Sequence, residues 1–260
     1  MATEIIVLGA KGRMGSTIAR LADNDPDYAL CAVIEREGNT DGLEVYSTFV
    51  STNLQDALLK YPSAVVIDFT VPKVSLDTVK CCKEVGGKAV IGTTGFSSEE
   101  LSYLKENSKD ISLLWAPNMS VGINVLLKIL PQLVKILGEK YDLEISEIHH
   151  KFKKDAPSGT ALKLAQCLAE ARGVDLDKVG KFCRHGIIGE RSSEEIGVQT
   201  LRGGDVVGDH TVYFLGPGER IEITHRAHSR ETFAQGALRA AKWLAHQKPG
   251  KLYSMSDVLN

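Results

Sequence analysis

The sequence predicts an α/β protein: a doubly wound parallel sheet in the first half of the chain, then an α+β region with an open, mainly antiparallel sheet. Three observations carry this expectation. Short apolar runs alternate with amphipathic stretches up to about residue 120, the pattern of a parallel sheet covered by helices on both faces. Glycines crowd the junction between the first strand and the first helix. Past residue 120, strand-like runs follow one another with a single helix between them, as antiparallel sheets do.

Taken in order, Glu4–Leu8 (EIIVL) reads as a buried strand that hands over to a helix from about Arg13 to Ala22, which NDPD stops. Ala29–Ile34 and Ala64–Asp68 (AVVID) are the next strands, and a helix over about Val74–Val85 leads to another at Ala89–Ile91. FSSEEL places serines just before acidic residues, a helix-start signal, and Ile111–Trp115 is the strand that follows. Val121–Leu137 reads as a long apolar helix that Pro131 is expected to kink or break. Strand-like runs then cover Leu143–His149, Ile196–Leu201, Val206–Leu215 and Arg220–His225, the last two joined as a hairpin at Gly216-Pro217-Gly218. A helix at about Thr160–Ala171 interrupts them, Arg184–Glu195 reads as a polar loop, and Thr232–His246 as a final helix.

Composition narrows the function. A chain of 260 residues can bury one large or two modest cores. Its net charge of −2 gives no reason to expect nucleic acid or a membrane as partner, and no apolar run is long enough to span a bilayer. The N-terminus opens directly into a strand, without the regions of a signal peptide. Five cysteines, an odd number with no C-x-x-C pair, predict reduced thiols in a cytoplasmic protein. No Cys or His pairs are spaced for zinc, so no metal is expected.

VLGAKGRMG (Val7–Gly15) lies where a strand meets a helix, with glycines at 9, 12 and 15. Such a turn lets bare N–H groups approach a pyrophosphate at a helix N-terminus. The spacing is G-x-x-G-x-x-G, with Lys11 in the middle-glycine position, and glycine also serves in such turns for steric reasons alone. Glu35, twenty residues beyond Gly15 at the end of the second strand, can accept hydrogen bonds from ribose hydroxyls. Arg36 and Arg13 are either surface arginines or partners for the 2′-phosphate of NADP. The expected ligand is a nicotinamide dinucleotide, NADH or NADPH, with the preference left open. DFTVP (68–72), VIGTTG (90–95) and WAPNMSVG (115–122) fall at further strand ends on the same rim, where ligands bind in this architecture.

EIHHKFKKDAPSGTA (Glu147–Ala161) packs two histidines and three lysines before a Ser158-Gly159-Thr160 turn that opens a helix. Hydroxyls and N–H groups at a helix start make an anion site, or simply an N-cap. With His150, Lys151, Lys153 and Lys154 beside them, they point to a small carboxylate substrate. A histidine at a strand end has a structural reading as well, and HHKFKK is also compatible with a solvated basic loop or an RNA-contacting patch, although only Phe152 could stack on a base.

That segment fits E-x-H-H-x-x-K-x-D-A-P-S-G-T-A, and with it the chain resembles the dihydrodipicolinate reductase family. The resemblance extends through GxxGRMG, DFT.P at 68–72, GTTG at 92–95, NMSVGINVLLK at 118–128, GDHTVYF at 208–214 and ERIEITHRAHSRETFAQGALRAAKWL at 219–244. It implies reduction of a cyclic unsaturated imine dicarboxylate with NADH or NADPH, on the diaminopimelate route to lysine. By motif position, Lys153 is the proton donor and His149 the adjacent acid/base residue, while His150, Ser158, Gly159 and Thr160 hold carboxylates. Cofactor contacts map to Gly9, Ala10, Lys11, Gly12, Arg13, Met14, Glu35, Arg36, Gly92, Thr93, Thr94, Ala116, Pro117, Asn118 and Met119. The resemblance further implies a Rossmann-like dinucleotide-binding domain of residues 1–121, rejoined by 231–260, and a substrate-binding and oligomerisation domain of 122–230. Hinges near Ser120–Val121 and Ser229–Glu231 and a homotetramer are implied with them. A dinucleotide sensor without catalysis would have lost Lys153 or the Ser-Gly-Thr turn, and a semialdehyde dehydrogenase on the same scaffold has no need of the fifteen-residue motif.

Overall fold

The computed structural model describes residues 1–260. In chain order the elements are β1 (Thr3–Leu8), α1 (Arg13–Asp23), β2 (Tyr28–Ile34), β3 (Phe49–Ser51), α2 (Leu54–Lys60), β4 (Val65–Asp68), α3 (Pro72–Val85), β5 (Lys88–Ile91), α4 (Ser98–Asn107), β6 (Ser112–Trp115) and α5 (Val121–Leu137). They continue with β7 (Asp142–His149), α6 (Gly159–Arg172), α7 (Leu176–Val179), β8 (Gly180–Lys181), β9 (Ile196–Arg202), β10 (Gly208–Gly216), β11 (Glu219–Ala227), α8 (Glu231–Leu244), β12 (Leu252–Tyr253) and α9 (Met255–Val258). The chain forms two units, Met1–Val121 with Arg230–Asn260, and Gly122–Ser229.

The first unit is a parallel seven-stranded sheet in the order β12-β6-β5-β4-β1-β2-β3. Period-two alternation sends each strand's side chains to opposite layers. Ile5, Val7, Val65 and Ile67 pack with α1 and the alanine face of α8 (Ala234, Ala237, Ala240, Ala241), while Ile6, Leu8, Val66 and Ile91 meet residues of α2, α3 and α4. This is why the strands read as continuous apolar runs. The chain moves outward from β1 through β2 and β3, then returns to β4 on the other side, so the order reverses between β1 and β4. Ligands bind at such a switch point, beyond the C-terminal strand ends. The elements not predicted, β3, α2, β12 and α9 here and α7 and β8 in the second unit, are two to seven residues long, too short for a periodicity signal.

The second unit is a five-stranded sheet in the order β11-β10-β7-β9-β8. Only half of it meets the mainly antiparallel expectation: β7, β10 and β11 pair antiparallel, but β7–β9 and β9–β8 are parallel, so the sheet is mixed. The reason lies in the connection, because the chain between β7 and β9 passes through α6, and a helical crossover delivers the next strand in parallel. Val206 and Val207 precede the strand that begins at Gly208. Leu143, Ile145, Glu147 and His149 alternate onto the buried face of β7, where the first two join a core with Leu130, Leu164, Leu168, Val212 and Phe214. The opposite face carries Glu144, Ser146, Thr211, Tyr213 and Thr224, with Ser146 Oγ 3.1 Å from the Tyr213 hydroxyl.

Pro131 neither ends nor interrupts α5. Proline has no N–H for the carbonyl four residues earlier, here Leu127. The Cys167 thiol on α6 donates to that oxygen at 3.5 Å, so the group freed by proline keeps a partner. The Arg184–Glu195 loop is tied to β7 by charge: Arg184 grips Glu144 through both terminal nitrogens at 2.8 and 2.7 Å and also pairs with Glu195, and Arg191 reaches Asp142 at 2.6 Å. A side chain at Gly197 would collide with the Glu144 carboxylate, which reserves the space for these pairs. No helix is long and apolar enough to cross a membrane.

Candidate active site

The turn after β1 is built for close approach. Gly9 has φ +68°, where a side chain is strained and would also meet the Thr70 methyl at 2.9 Å. Gly12 N–H donates to Gly9 O at 2.9 Å, and a side chain at Gly15 would strike that same carbonyl. The turn therefore fits only if these positions lack side chains, and it opens α1 with Lys11, Gly12 and Arg13 exposed, Met14 half-buried and Ala10 buried beneath. Glu35 Oε2 accepts the Lys11 backbone N–H at 3.0 Å, and Oε1 that of Arg36 at 3.1 Å. Burial pulls the Glu35 carboxyl upward, but these N–H groups outweigh it and hold the group below its ordinary range, ionised. Glu35 thus anchors the turn to the end of β2, and Arg36 projects from its exposed neighbour position.

At the end of β4, Asp68 is fully buried and accepts from Thr70 N at 2.8 Å, Thr70 Oγ1 at 2.6 Å and Thr78 Oγ1 at 3.1 Å. Burial pushes its carboxyl up against the pull of those donors. It sets Thr70 against Gly9, so the β1 and β4 turns form one rim. Thr93 joins them: its hydroxyl accepts from Ser75 at 2.8 Å and its carbonyl from Trp115 Nε1 at 3.0 Å. Gly92 sits where a side chain would enter the Phe69 ring, Thr94 is exposed, and Ala116 N–H reaches Ile91 O at 3.1 Å. Pro117 is exposed, Met119 is buried, and Asn118 Oδ1 accepts the Ser120 N–H at 2.9 Å. The predicted dinucleotide residues therefore all lie at the C-terminal ends of β1, β2, β5 and β6. A glycine cradle that excludes side chains fits a pyrophosphate, and an ionised Glu35 fits ribose hydroxyls.

In the second unit, one carboxylate organises the motif. Glu147 is fully buried and accepts from Arg202 Nη1 at 2.8 Å and Nη2 at 2.9 Å, from Ser158 N at 2.9 Å, and from Thr200 Oγ1 at 3.2 Å. His149 Nδ1 lies 2.6 Å from its Oε2. Burial would raise the Glu147 carboxyl, but the Arg202 fork, His149 and Ser158 together hold it down at about 2. An ionised carboxylate only accepts, so His149 carries its proton on Nδ1. Burial lowers His149 below its ordinary value despite Glu147, with Lys153 and Arg202 adding to the decrease, so at neutral pH it is an uncharged imidazole. Its Nε2 has no hydrogen bond to protein.

His210, opposite Glu147 in the β7–β10 register, stacks edge-on to His149 with centroids 5.1 Å apart. Burial drives it down to about 3, so it too is neutral. Its Nε2 is 3.1 Å from the Ser158 hydroxyl, which accepts the Ala161 N–H at 3.1 Å and so caps α6. Gly159 and Thr160 form the first turn of that helix, and Gly159 is exposed with open space where a side chain would stand. Lys153 pairs with Asp155 at 3.0 Å, and Arg202 Nη2 donates to Asp155 O at 2.7 Å. His150, half-buried, holds the loop through its N–H to Val206 O at 2.8 Å, and its Nδ1 is buried without a partner. The structure thus places His149, Lys153 and Ser158 around the shared hub of Glu147 and Arg202. Sequence reading passed over Glu147, Thr200, Arg202 and His210. Period-two spacing between Glu147 and His149 was the available signal for the first; the others come from strands fifty or more residues away.

The sequence pattern described as "Dihydrodipicolinate reductase, N-terminus" matches residues 3–119, and "Dihydrodipicolinate reductase, C-terminus" matches residues 122–259. The chain is 60% identical over 259 residues to the 4-hydroxy-tetrahydrodipicolinate reductase of Oleidesulfovibrio alaskensis, covering 100% of both, and 59% identical to that of Nitratidesulfovibrio vulgaris, covering 99% and 100%. Among solved structures it is similar to dipicolinate-bound dihydrodipicolinate reductase from Paenisporosarcina sp. TG-14, with TM-score 0.78, 25% identity and 98% of each chain covered.

Proposed function

The chain belongs to the dihydrodipicolinate reductase family, and from that premise we propose that it reduces 4-hydroxy-tetrahydrodipicolinate, through dihydrodipicolinate, to tetrahydrodipicolinate in the diaminopimelate route to lysine. The observation that carries the reading is the convergence of His149 and the Ser158 helix start on one buried carboxylate inside the fifteen-residue motif, with Lys153 tied to the same cluster through Asp155, whose carbonyl Arg202 holds. A nicotinamide dinucleotide, when bound, supplies a hydride. The Gly9–Met14 turn takes its pyrophosphate, Glu35 its ribose hydroxyls, and Arg36 or Arg13 the phosphate that distinguishes NADPH; 92–94 and 116–119 flank the same rim.

Ser158, Gly159 and Thr160, with His150, hold the substrate carboxylates at the start of α6. The Lys153 ammonium stabilises negative charge spreading into the ring and gives its proton to the carbon beside the reduced one, to be reprotonated from water. Neutral His149 accepts through Nε2, orienting substrate or the water that leaves it. A cytoplasmic location and a homotetramer assembled through the uncovered face of the second sheet complete the proposal.

Oxidation of NADH and of NADPH is followed with substrate generated in situ by the preceding synthase. Turnover is expected with at least one cofactor, and Lys153→Ala is expected to lower kcat on the order of 10²- to 10⁴-fold while dipicolinate still binds. No turnover with either cofactor despite normal cofactor binding sinks the reading.

A further inference from the structure

Glu147 touches neither solvent nor any group assigned to cofactor or carboxylate binding except the Ser158 backbone. It nevertheless joins four residues from three pieces of chain: His149 two residues ahead on β7, Ser158 at the cap of α6, and Thr200 and Arg202 on β9. A lone buried carboxylate is costly, and Arg202 neutralises it with a two-pronged contact. Its oxygens are then saturated: Oε2 by His149 and Arg202 Nη1, Oε1 by Ser158 N, Arg202 Nη2 and Thr200. A saturated, desolvated carboxylate has no catalytic proton to exchange, but it fixes everything that bonds to it.

We infer that Glu147 is a positioning residue with two separable tasks: through Nδ1 it locks His149 in the tautomer that leaves Nε2 as an acceptor, and through the Ser158 N–H it sets the carboxylate-binding start of α6. The inference rests on the roles proposed above for His149 and Ser158. The two tasks leave different kinetic marks. Losing the tautomer lock removes something used in the reaction and lowers kcat, whereas loosening the Ser158 cap weakens substrate and dipicolinate binding and raises KM.

The groups that face His149 are Glu147 on its own strand, Arg202 from β9, His210 from β10, and Lys153 from the following loop. Of these, Glu147 alone favours the imidazolium. Its neutralisation therefore lowers the pH at which His149 protonates, and the acidic limb of kcat/KM moves to lower pH.

The test is a double-mutant cycle of Glu147→Gln and His149→Ala, with ring-nitrogen NMR of His149. Glu147→Gln should lower kcat on the order of 10- to 100-fold, the scale seen when a metal-bound histidine loses the partner that orients it, and should lower dipicolinate affinity. The His149 resonances should lose the Nδ1–H signature. In the His149→Ala background the kcat effect should vanish while the loss of dipicolinate affinity persists. If Glu147→Gln multiplies with His149→Ala in kcat, or leaves the His149 tautomer and the acidic limb in place, Glu147 is a structural anchor only and the inference is overturned. Should Glu147→Gln fail to fold, Arg202→Lys keeps the charge and breaks the two-pronged contact. It should weaken dipicolinate binding as Glu147→Gln does but, by leaving Glu147 ionised and less fully neutralised, move the limb to higher pH; wild-type values for both would overturn the inference equally. Failure of the functional reading looks different, because the unaltered chain would then show no turnover at all.

Discussion

Glu147 and His210 tie the stability of the second unit to pH. Glu147 is held at about 2 against an ordinary 4.5, and His210 at about 3 against 6.5. Both values are depressed in the folded chain, so the unfolded chain takes up each proton first and acid favours unfolding. The contribution of His210 is complete above pH 6.5 and is lost as the pH falls toward 3; that of Glu147 is complete above 4.5 and is lost toward 2. Inside its window each costs about 1.4 kcal/mol per pH unit. Urea unfolding measured from pH 7 downward should show stability falling from about pH 6.5, and a His210→Asn chain should be flatter between 6.5 and 5. Parallel curves would assign the titration elsewhere. On the cofactor side, Gly15→Ala places a methyl against Gly9 O, a strain of about 1–3 kcal/mol. NADPH affinity should fall on the order of tenfold to a hundredfold in a fluorescence titration; unchanged affinity would mean that the turn does not hold the pyrophosphate.

Between elements, α5 and α6 share one unusual contact, the Cys167 thiol on Leu127 O beneath Pro131. Cys167→Val keeps much of the volume but removes the donor and should cost about 1 kcal/mol in chemical denaturation. Adding Pro131→Ala should recover that loss, since the new backbone N–H can reach Leu127 O. A double variant no more stable than the single one would show that the thiol contributes by packing alone. At the start of α4, the Ser97–Glu100 capping box satisfies two backbone donors at 3.2 and 2.7 Å. The helix signal was visible in FSSEEL because capping is local chemistry: all the participating atoms lie within four residues.

For the whole molecule, the homotetramer proposed above would assemble through the uncovered face of the second sheet. Leu201, 49% exposed at its margin, and half-buried Tyr213 lie there among Ser146 and Thr211. Light scattering should give the mass of four chains of 28.3 kDa, and Tyr213→Asp should reduce it. A monomeric unaltered chain would remove the tetramer from the proposal.

The sequence by itself determined what is local or periodic. It set the buried parallel strands, the glycine turn with Glu35 at its proper distance, the amphipathic helices, and a motif dense enough to mark His149, Lys153 and Ser158. These depend on neighbours within a turn, a strand or one β-α-β unit, where spacing along the chain is spacing in space. Tertiary structure alone decided the rest. It made the second sheet mixed, because strand direction follows from the path of a crossover. It kept α5 whole through Pro131, because the rescuing donor comes from another helix forty residues away. It also revealed Glu147 as the hub of the motif, because its charge is stabilised by Arg202 and Thr200 on β9, and no pattern of residues between 147 and 161 records which side chains from a distant strand will close over them.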